Sequence, residues 1–175
     1  NGKLYESGAL LCENLSNISL PTGVVYIGNK AFYSCTNLCS INLPNNITNI
    51  GEEAFYRCQN LKKVVIPKGM STIAKGVFSN CTNLESITIP YGVTTISDHA
   101  FSYNNGIKSI EIPNSVTMLG EYVFAGCTNL SNVTIPEGVE HIGYRMFYSC
   151  ISLKSVTIPS SVWLISVEAF LDCTS

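Results

Sequence analysis

Residues 130–152 read LSNVTIPEGVEHIGYRMFYSCIS, and the same 23-position pattern recurs along the chain. Pro136 is one of seven prolines, and all seven share its column: Pro21, Pro44, Pro67, Pro90, Pro113, Pro136 and Pro159. Every phenylalanine falls in a second column, Phe32, Phe55, Phe78, Phe101, Phe124, Phe147 and Phe170. A third holds Cys12, Cys35, Cys58, Cys81, Cys127, Cys150 and Cys173, with Asn104 in the fifth unit; Cys39 alone lies outside it. A fixed period of this length means stacked units, each burying its apolar side against the next.

Units open at Leu15, Leu38, Leu61, Leu84, Ile107, Leu130 and Leu153, after a partial unit over residues 1–14. We read residues 1–175 as one repeat domain and expect it to be part of a longer array, because neither end carries the polar cap a repeat stack needs. Within a unit, pairs such as Ile87 and Ile89 or Val156 and Ile158 alternate with period two, which predicts a short strand with one buried face. Proline then ends the strand, having no N–H for the next rung. A second apolar pair, such as Val93 and Ile96, predicts a tight bend or another brief extended piece. Gly28, Gly51, Gly120 and Gly143 follow, but Ala74, Ser97 and Ser166 fill the same column. That column therefore wants a small residue, not a left-handed dihedral. Segments such as EEAFYRC predict about one helical or 3₁₀ turn carrying Ala or Val, Phe and Cys inward. Asn14, Asn37, Asn60, Asn83 and Asn129 predict a buried ladder that satisfies loop amides, with Gly106 and Ser152 as exceptions.

The pattern L-x-x-I-x-I-P followed by V-x-x-I-G-x-x-A-F-x-x-C resembles the BspA-type leucine-rich repeat family, in its 23-residue, Treponema pallidum-like class. The resemblance covers essentially the whole chain. Asn104 for Cys, Ile107 for Leu, Ala9 for Phe and Gly106 for Asn are departures. It implies a curved solenoid with a parallel β-sheet on the concave face and short turns or 3₁₀ segments on the convex side. It also implies a surface or secreted binding module that adheres to host or microbial proteins. A structural spacer, or an intracellular protein-interaction scaffold in the cytoplasm, is the alternative.

Charged residues make up 13% of the chain and the net charge is −2. A nucleic-acid groove should be strongly basic, and Lys62–Lys63 is the only adjacent basic pair, so nucleic acid is not an expected partner. No apolar run reaches the roughly 18 residues of a membrane helix, so direct insertion is not expected. Protein is the expected partner, and a monomer the expected state. His99 and His141 lie in different columns, and no serine elbow, HExxH, CxxC or phosphate loop is present. No enzymatic activity, cofactor or metal is therefore expected. The cysteine column reads as buried free thiols, with disulfides between neighbouring rungs as the alternative and a zinc site disfavoured by the spacing. Cys39 is either exposed and reactive or simply a tolerated small residue. Six Asn-x-Ser/Thr sequons, at Asn14, Asn17, Asn46, Asn80, Asn129 and Asn132, read as a by-product of the repeat. Asn14 and Asn129 fall in the ladder predicted to be buried.

The outward strand positions form the candidate protein-binding concave face. One column offers Lys63, Ser86, Ser109, Asn132 and Ser155, and its neighbour offers Asn42, Thr88, Glu111, Thr134 and Thr157. Their side chains are mostly short, so backbone lies near the surface and a large partner can lie flat. The same residues also suit a solvated sheet that pairs across rungs. Tyr33, Tyr56, Tyr148 and Trp163 are candidate aromatic contacts, since aromatics dominate many interfaces. Tyr26 and Trp163 are expected on the turn after proline. The unit FSYNNGIKS, residues 101–109, is the expected place for a break in the ladder.

Overall fold

The structure, a computed structural model, describes residues 12 and 14–175 and the backbone of Lys3–Leu4. Ala9 and most of the partial first unit lie outside the described residues. The described strands, in chain order, are β1 Lys3–Leu4, β2 Asn17–Ser19, β3 Tyr26–Ile27, β4 Ser40–Asn42, β5 Asn49–Ile50, β6 Lys63–Val65 and β7 Thr72–Ile73. They continue with β8 Ser86–Thr88, β9 Thr95–Ile96, β10 Met118–Leu119, β11 Asn132–Thr134, β12 His141–Ile142, β13 Ser155–Thr157 and β14 Leu164–Ile165. Every pairing is parallel and in register with the repeat: Ile18 faces Ile41, Val64 faces Ile87, and Val133 faces Val156. The result is a curved parallel solenoid with two ladders per turn. The three-residue strands line the concave face, and the second apolar pair of each unit forms the two-residue strands. Tyr26 accordingly lies in β3 and not on a turn.

Each proline opens the bend between the two strands. Its carbonyl accepts the N–H three residues on, from Val24 to Pro21 at 3.0 Å through Val162 to Pro159 at 3.2 Å. Gly92 and Gly138, at the third position of their turns, have φ of 113° and 94°, which only glycine adopts freely. Ser115 takes the same place one unit after Gly92 and bonds backward instead, accepting from the Gly92 N–H at 3.1 Å and donating to the Val93 carbonyl at 2.7 Å.

The core runs down the stack as columns. The phenylalanine rings stack without interruption from Phe32 to Phe170, at centroid separations from 5.1 to 6.3 Å. Fully burying such a ring contributes about 1.5–3 kcal/mol relative to leaving it in water. The widest step, 6.3 Å, lies between Phe78 and Phe101, at the unit that carries Asn104. The concave ladder weakens in the unit that follows. Residues 109–111 form no strand, only the bridge Ser109 to Asn132. The rung-to-rung bond made by Glu85 N–H to Lys62, and by Ser131 N–H to Lys108, has no counterpart from Lys108 to Glu85. The ladder also parts between β4 and β6, where Lys62 N–H reaches Cys39 at a long 3.4 Å.

The convex side corrects the expectation of a helical or 3₁₀ turn. Two residues per unit are left-handed: Lys30, Glu53, Gly76, His99, Tyr122, Arg145 and Glu168 in one column, and the residues four positions later in another. A left-handed residue ends any right-handed turn, and costs an ordinary side chain roughly 1–2 kcal/mol. The ladder supplies the compensation. Lys30, Phe32 and Ser34 donate to Glu52, Ala54 and Tyr56 of the next unit at 2.9, 2.7 and 2.7 Å, while Ala31, Tyr33 and Cys35 close local turns. Gly51, by contrast, has no positive φ; a Cβ there would lie 2.5 Å from the Asn29 nitrogen. Gly51 is glycine because backbone approaches closely there, and the absence of a left-handed φ agrees with the column's acceptance of Ala and Ser.

The asparagine column is also corrected. Asn14, Asn37, Asn83 and Asn129 are exposed and Asn60 is half-buried. A ladder does form in part, with Asn83 Nδ2 donating to Asn60 Oδ1 at 3.2 Å and Asn129 Nδ2 to the Asn105 carbonyl at 2.7 Å. It runs along the surface because the loop amides are met by backbone, as where Asn60 N–H donates to the Thr36 carbonyl at 3.2 Å. Burial therefore does not shield the sequons at Asn14 and Asn129.

Candidate functional site

All ten candidate residues of the concave face are exposed: Asn42, Lys63, Ser86, Thr88, Ser109, Glu111, Asn132, Thr134, Ser155 and Thr157. The strands place them there because the middle residue of each, such as Val64 or Val133, turns inward and its two neighbours turn out. Parts of the face are bonded to themselves. Ser40 Oγ donates to Asn17 Oδ1 at 2.5 Å, and Ser155 Oγ to Asn132 Oδ1 at 2.7 Å. Asn42 and Lys63 meet in a shallow depression of about 400 Å³, floored by Ile41 and Leu43 and flanked by Val65. That depression lies where β4 and β6 part.

The aromatic candidates sit elsewhere. Tyr33 and Tyr56 are half-buried on the convex side and stack at 4.9 Å. Tyr148 lies there too, with the Arg145 guanidinium 5.0 Å from its ring. Arg145 also bonds Glu168, whose carboxyl is held below its usual range chiefly by that bond and then by the Tyr144 hydroxyl. Trp163 is 70% exposed beside the second ladder. It meets His141 edge-on at 4.5 Å and its indole N–H reaches Glu140 at 3.4 Å. Met118, 62% exposed, lies on the same ladder two rungs earlier. Sequence reasoning passed over Met118, and over Tyr91, 81% exposed beside its proline. Reading each column for its odd member, and not for its consensus, exposes both.

All eight cysteines are free. The thiols of Cys58, Cys81, Cys127, Cys150 and Cys173 each donate to the phenylalanine carbonyl of the preceding unit at 3.1–3.2 Å. Burial pushes the Cys127 thiol up to about 12, and raises Cys35 and Cys150 as well. Such thiols are poor nucleophiles. Cys39 is exposed, and its thiol reaches only the Asn37 carbonyl at 3.4 Å. Among the described residues, no three His, Cys, Asp or Glu side chains are placed to hold a metal ion.

The repeat matches the family model described as the BspA type leucine-rich repeat region, over residues 6–115 and 100–175. The chain belongs to the BspA-type leucine-rich repeat family. Among solved structures, this BspA-type chain resembles the leucine-rich repeat protein of T. pallidum, with a TM-score of 0.84 and 29% identity over 91% of this chain and 77% of that one. A leucine-rich repeat protein from Eubacterium ventriosum matches with a TM-score of 0.66 and 25% identity, over 91% of this chain and 43% of that one. The pneumococcal vaccine antigen PcpA shares the fold, with a TM-score of 0.59 and 18% identity over 84% of this chain and 51% of that one. The chain thus spans about half or less of the last two. No curated protein matches it. As a BspA-type solenoid the chain is a non-enzymatic module of the protein-binding kind, with an adhesin-like character.

Proposed function

We propose that the chain is an adhesion module of a cell-surface or secreted protein, and that its concave face holds a protein ligand on host or microbial cells. The observation that carries this reading is the concave face itself. Asn42, Lys63, Ser86, Thr88 and their partners down to Thr157 form an exposed face of mostly short, polar side chains over successive rungs. Short side chains let a partner approach the backbone, and the low charge leaves little to desolvate. Residues Asn42 and Lys63, beside the exposed Val65, supply a concave point where a ligand side chain can anchor.

The test is binding of the reduced, monomeric chain to extracellular matrix proteins and to intact host and microbial cells. Its partner is a variant with charged replacements at Ser86, Thr88, Ser109 and Thr134. Saturable binding that disappears in the still-folded variant supports the reading. Binding that survives in the variant moves the contact to another face. No binding by the folded chain favours a spacer or scaffold.

A further inference from the structure

A cleft opens on the convex side where two columns lose their large side chains together. The left-handed column carries Glu53, then Gly76, then His99. The tyrosine column carries Tyr33 and Tyr56, then Ser79 and Ser102. The space left is about 350 Å³, walled by Glu53, Tyr56, Lys75, Asn80, His99 and Tyr103.

Three of its wall residues are aromatic, Tyr56, His99 and Tyr103. Tyr56 stacks on Tyr33 at 4.9 Å, and the Arg57 guanidinium lies 5.5 Å from its ring centre. His99 stacks on Tyr122 at 4.5 Å, so its other face turns toward Gly76. Glu53 and His99 are two rungs apart, roughly 9.6 Å at the usual strand spacing. One ring placed between them sits at the stacking distance the neighbouring rungs already use. Tyr103 is 44% exposed yet held in place, since a Cβ on Gly126 would lie 2.4 Å from its Cδ1 atom. Polar groups surround these rings. The Asn80 amide N–H goes to Ser79 Oγ at 3.1 Å, which leaves its Oδ1 to accept, and at the edge stand the Lys75 ammonium and the Glu53 carboxylate, one oxygen of which pairs with Lys30 at 3.3 Å.

We propose that this cleft binds a single pyranose ring of a glycan. One C–H face lies against His99 in the space that Gly76 leaves, and its hydroxyls bond Glu53, Lys75 and Asn80. A partner's aromatic side chain would fill the same volume but leave the polar edge desolvated without partners, which is costly. A pyranose has apolar faces and a polar perimeter, and matches both. The cleft lies away from the concave face, so the proposal stands independently of the adhesion reading.

The experiment is saturation-transfer NMR with free glucose, galactose, mannose, fucose, N-acetylglucosamine and N-acetylgalactosamine. The chain is compared with Gly76→Tyr and Tyr103→Ala. Tyr122 holds the same column with φ 55°, against 59° at Gly76, so the backbone there accepts tyrosine. A Cβ at Gly76 meets only the flexible Glu53 side chain, at 3.2 Å. Transfer to at least one sugar is expected, lost in both folded variants and unchanged by the concave-face replacements. Three results overturn the proposal: no transfer to any sugar, undiminished transfer in Gly76→Tyr, or transfer to free tyrosine and phenylalanine with none to sugars.

Discussion

Asn104 Nδ2 donates to the Phe78 carbonyl at 2.9 Å, the bond that every neighbouring unit makes with a cysteine thiol to the residue 26 positions earlier. The amide does more than the thiol, since it also bonds the Phe101 carbonyl at 2.9 Å. It is also worse, because its Oδ1 is buried and has no donor. Leaving such an acceptor unmet costs about 1–3 kcal/mol. Asn104→Cys removes that orphan and restores the column. It is expected to stabilise the fold by about 1 kcal/mol in urea melts. Asn104→Ala strips the Phe78 carbonyl of that donor, leaves Phe101 with the Cys127 thiol, and is expected to destabilise the fold. If Asn104→Cys is the less stable of the two, the column's logic fails.

Phe101 is fully buried between Phe78 and Phe124. Phe101→Ala empties a ring from the centre of the stack and is expected to cost about 3–5 kcal/mol. Phe170, only half-buried at the end of the column, is expected to cost clearly less when truncated in the same way. Equal losses in denaturant melts would contradict a core built as a stacked column.

The cysteine column ties stability to alkaline pH. Burial raises the Cys127 thiol from 9.0 to about 12, so the folded state keeps its proton where the unfolded chain loses it. The contribution is fully present below pH 9 and is lost as pH rises toward 12, by about 1.4 kcal/mol per pH unit for each such thiol. Cys127→Ala is expected to flatten the fall in stability measured between these limits. At neutral pH, iodoacetamide followed by peptide mass mapping is expected to label Cys39 in the folded chain and to leave Cys127 and Cys150 untouched.

Among the described residues, Asn105 is the expected site of slow deamidation. It is exposed, it precedes Gly106, and the Gly106 N–H has no acceptor, whereas the equivalent amides of Asn60 and Asn83 donate to Thr36 and Gln59. That free amide nitrogen can attack the Asn105 side-chain carbonyl and expel ammonia; water then opens the succinimide to aspartate or isoaspartate. Incubation at mildly alkaline pH is expected to convert Asn105 well before Asn83. A faster loss at Asn83, followed by peptide mass, would refute the assignment.

The period alone determined that the chain is a solenoid and which apolar columns face inward. An inward position repeats its apolar character in every unit because every rung meets the same neighbour on both sides. Phe55, Val64 and Cys81 are legible for that reason, and so is the irregular unit near Asn104, where the column fails. The paired left-handed residues of the convex turns were not legible. Lys30, Glu53 and His99 have nothing in common as residue types; their backbone conformation is imposed by bonds to the next unit, as from Lys30 to Glu52. Nor was the surface course of the asparagine ladder, because backbone carbonyls had already met the amides it was expected to serve. The parting of β4 from β6 and the cleft beside Gly76 depend on how neighbouring rungs sit against each other. Only the tertiary structure decides that, since a column can be read one residue at a time but a cavity exists only between several.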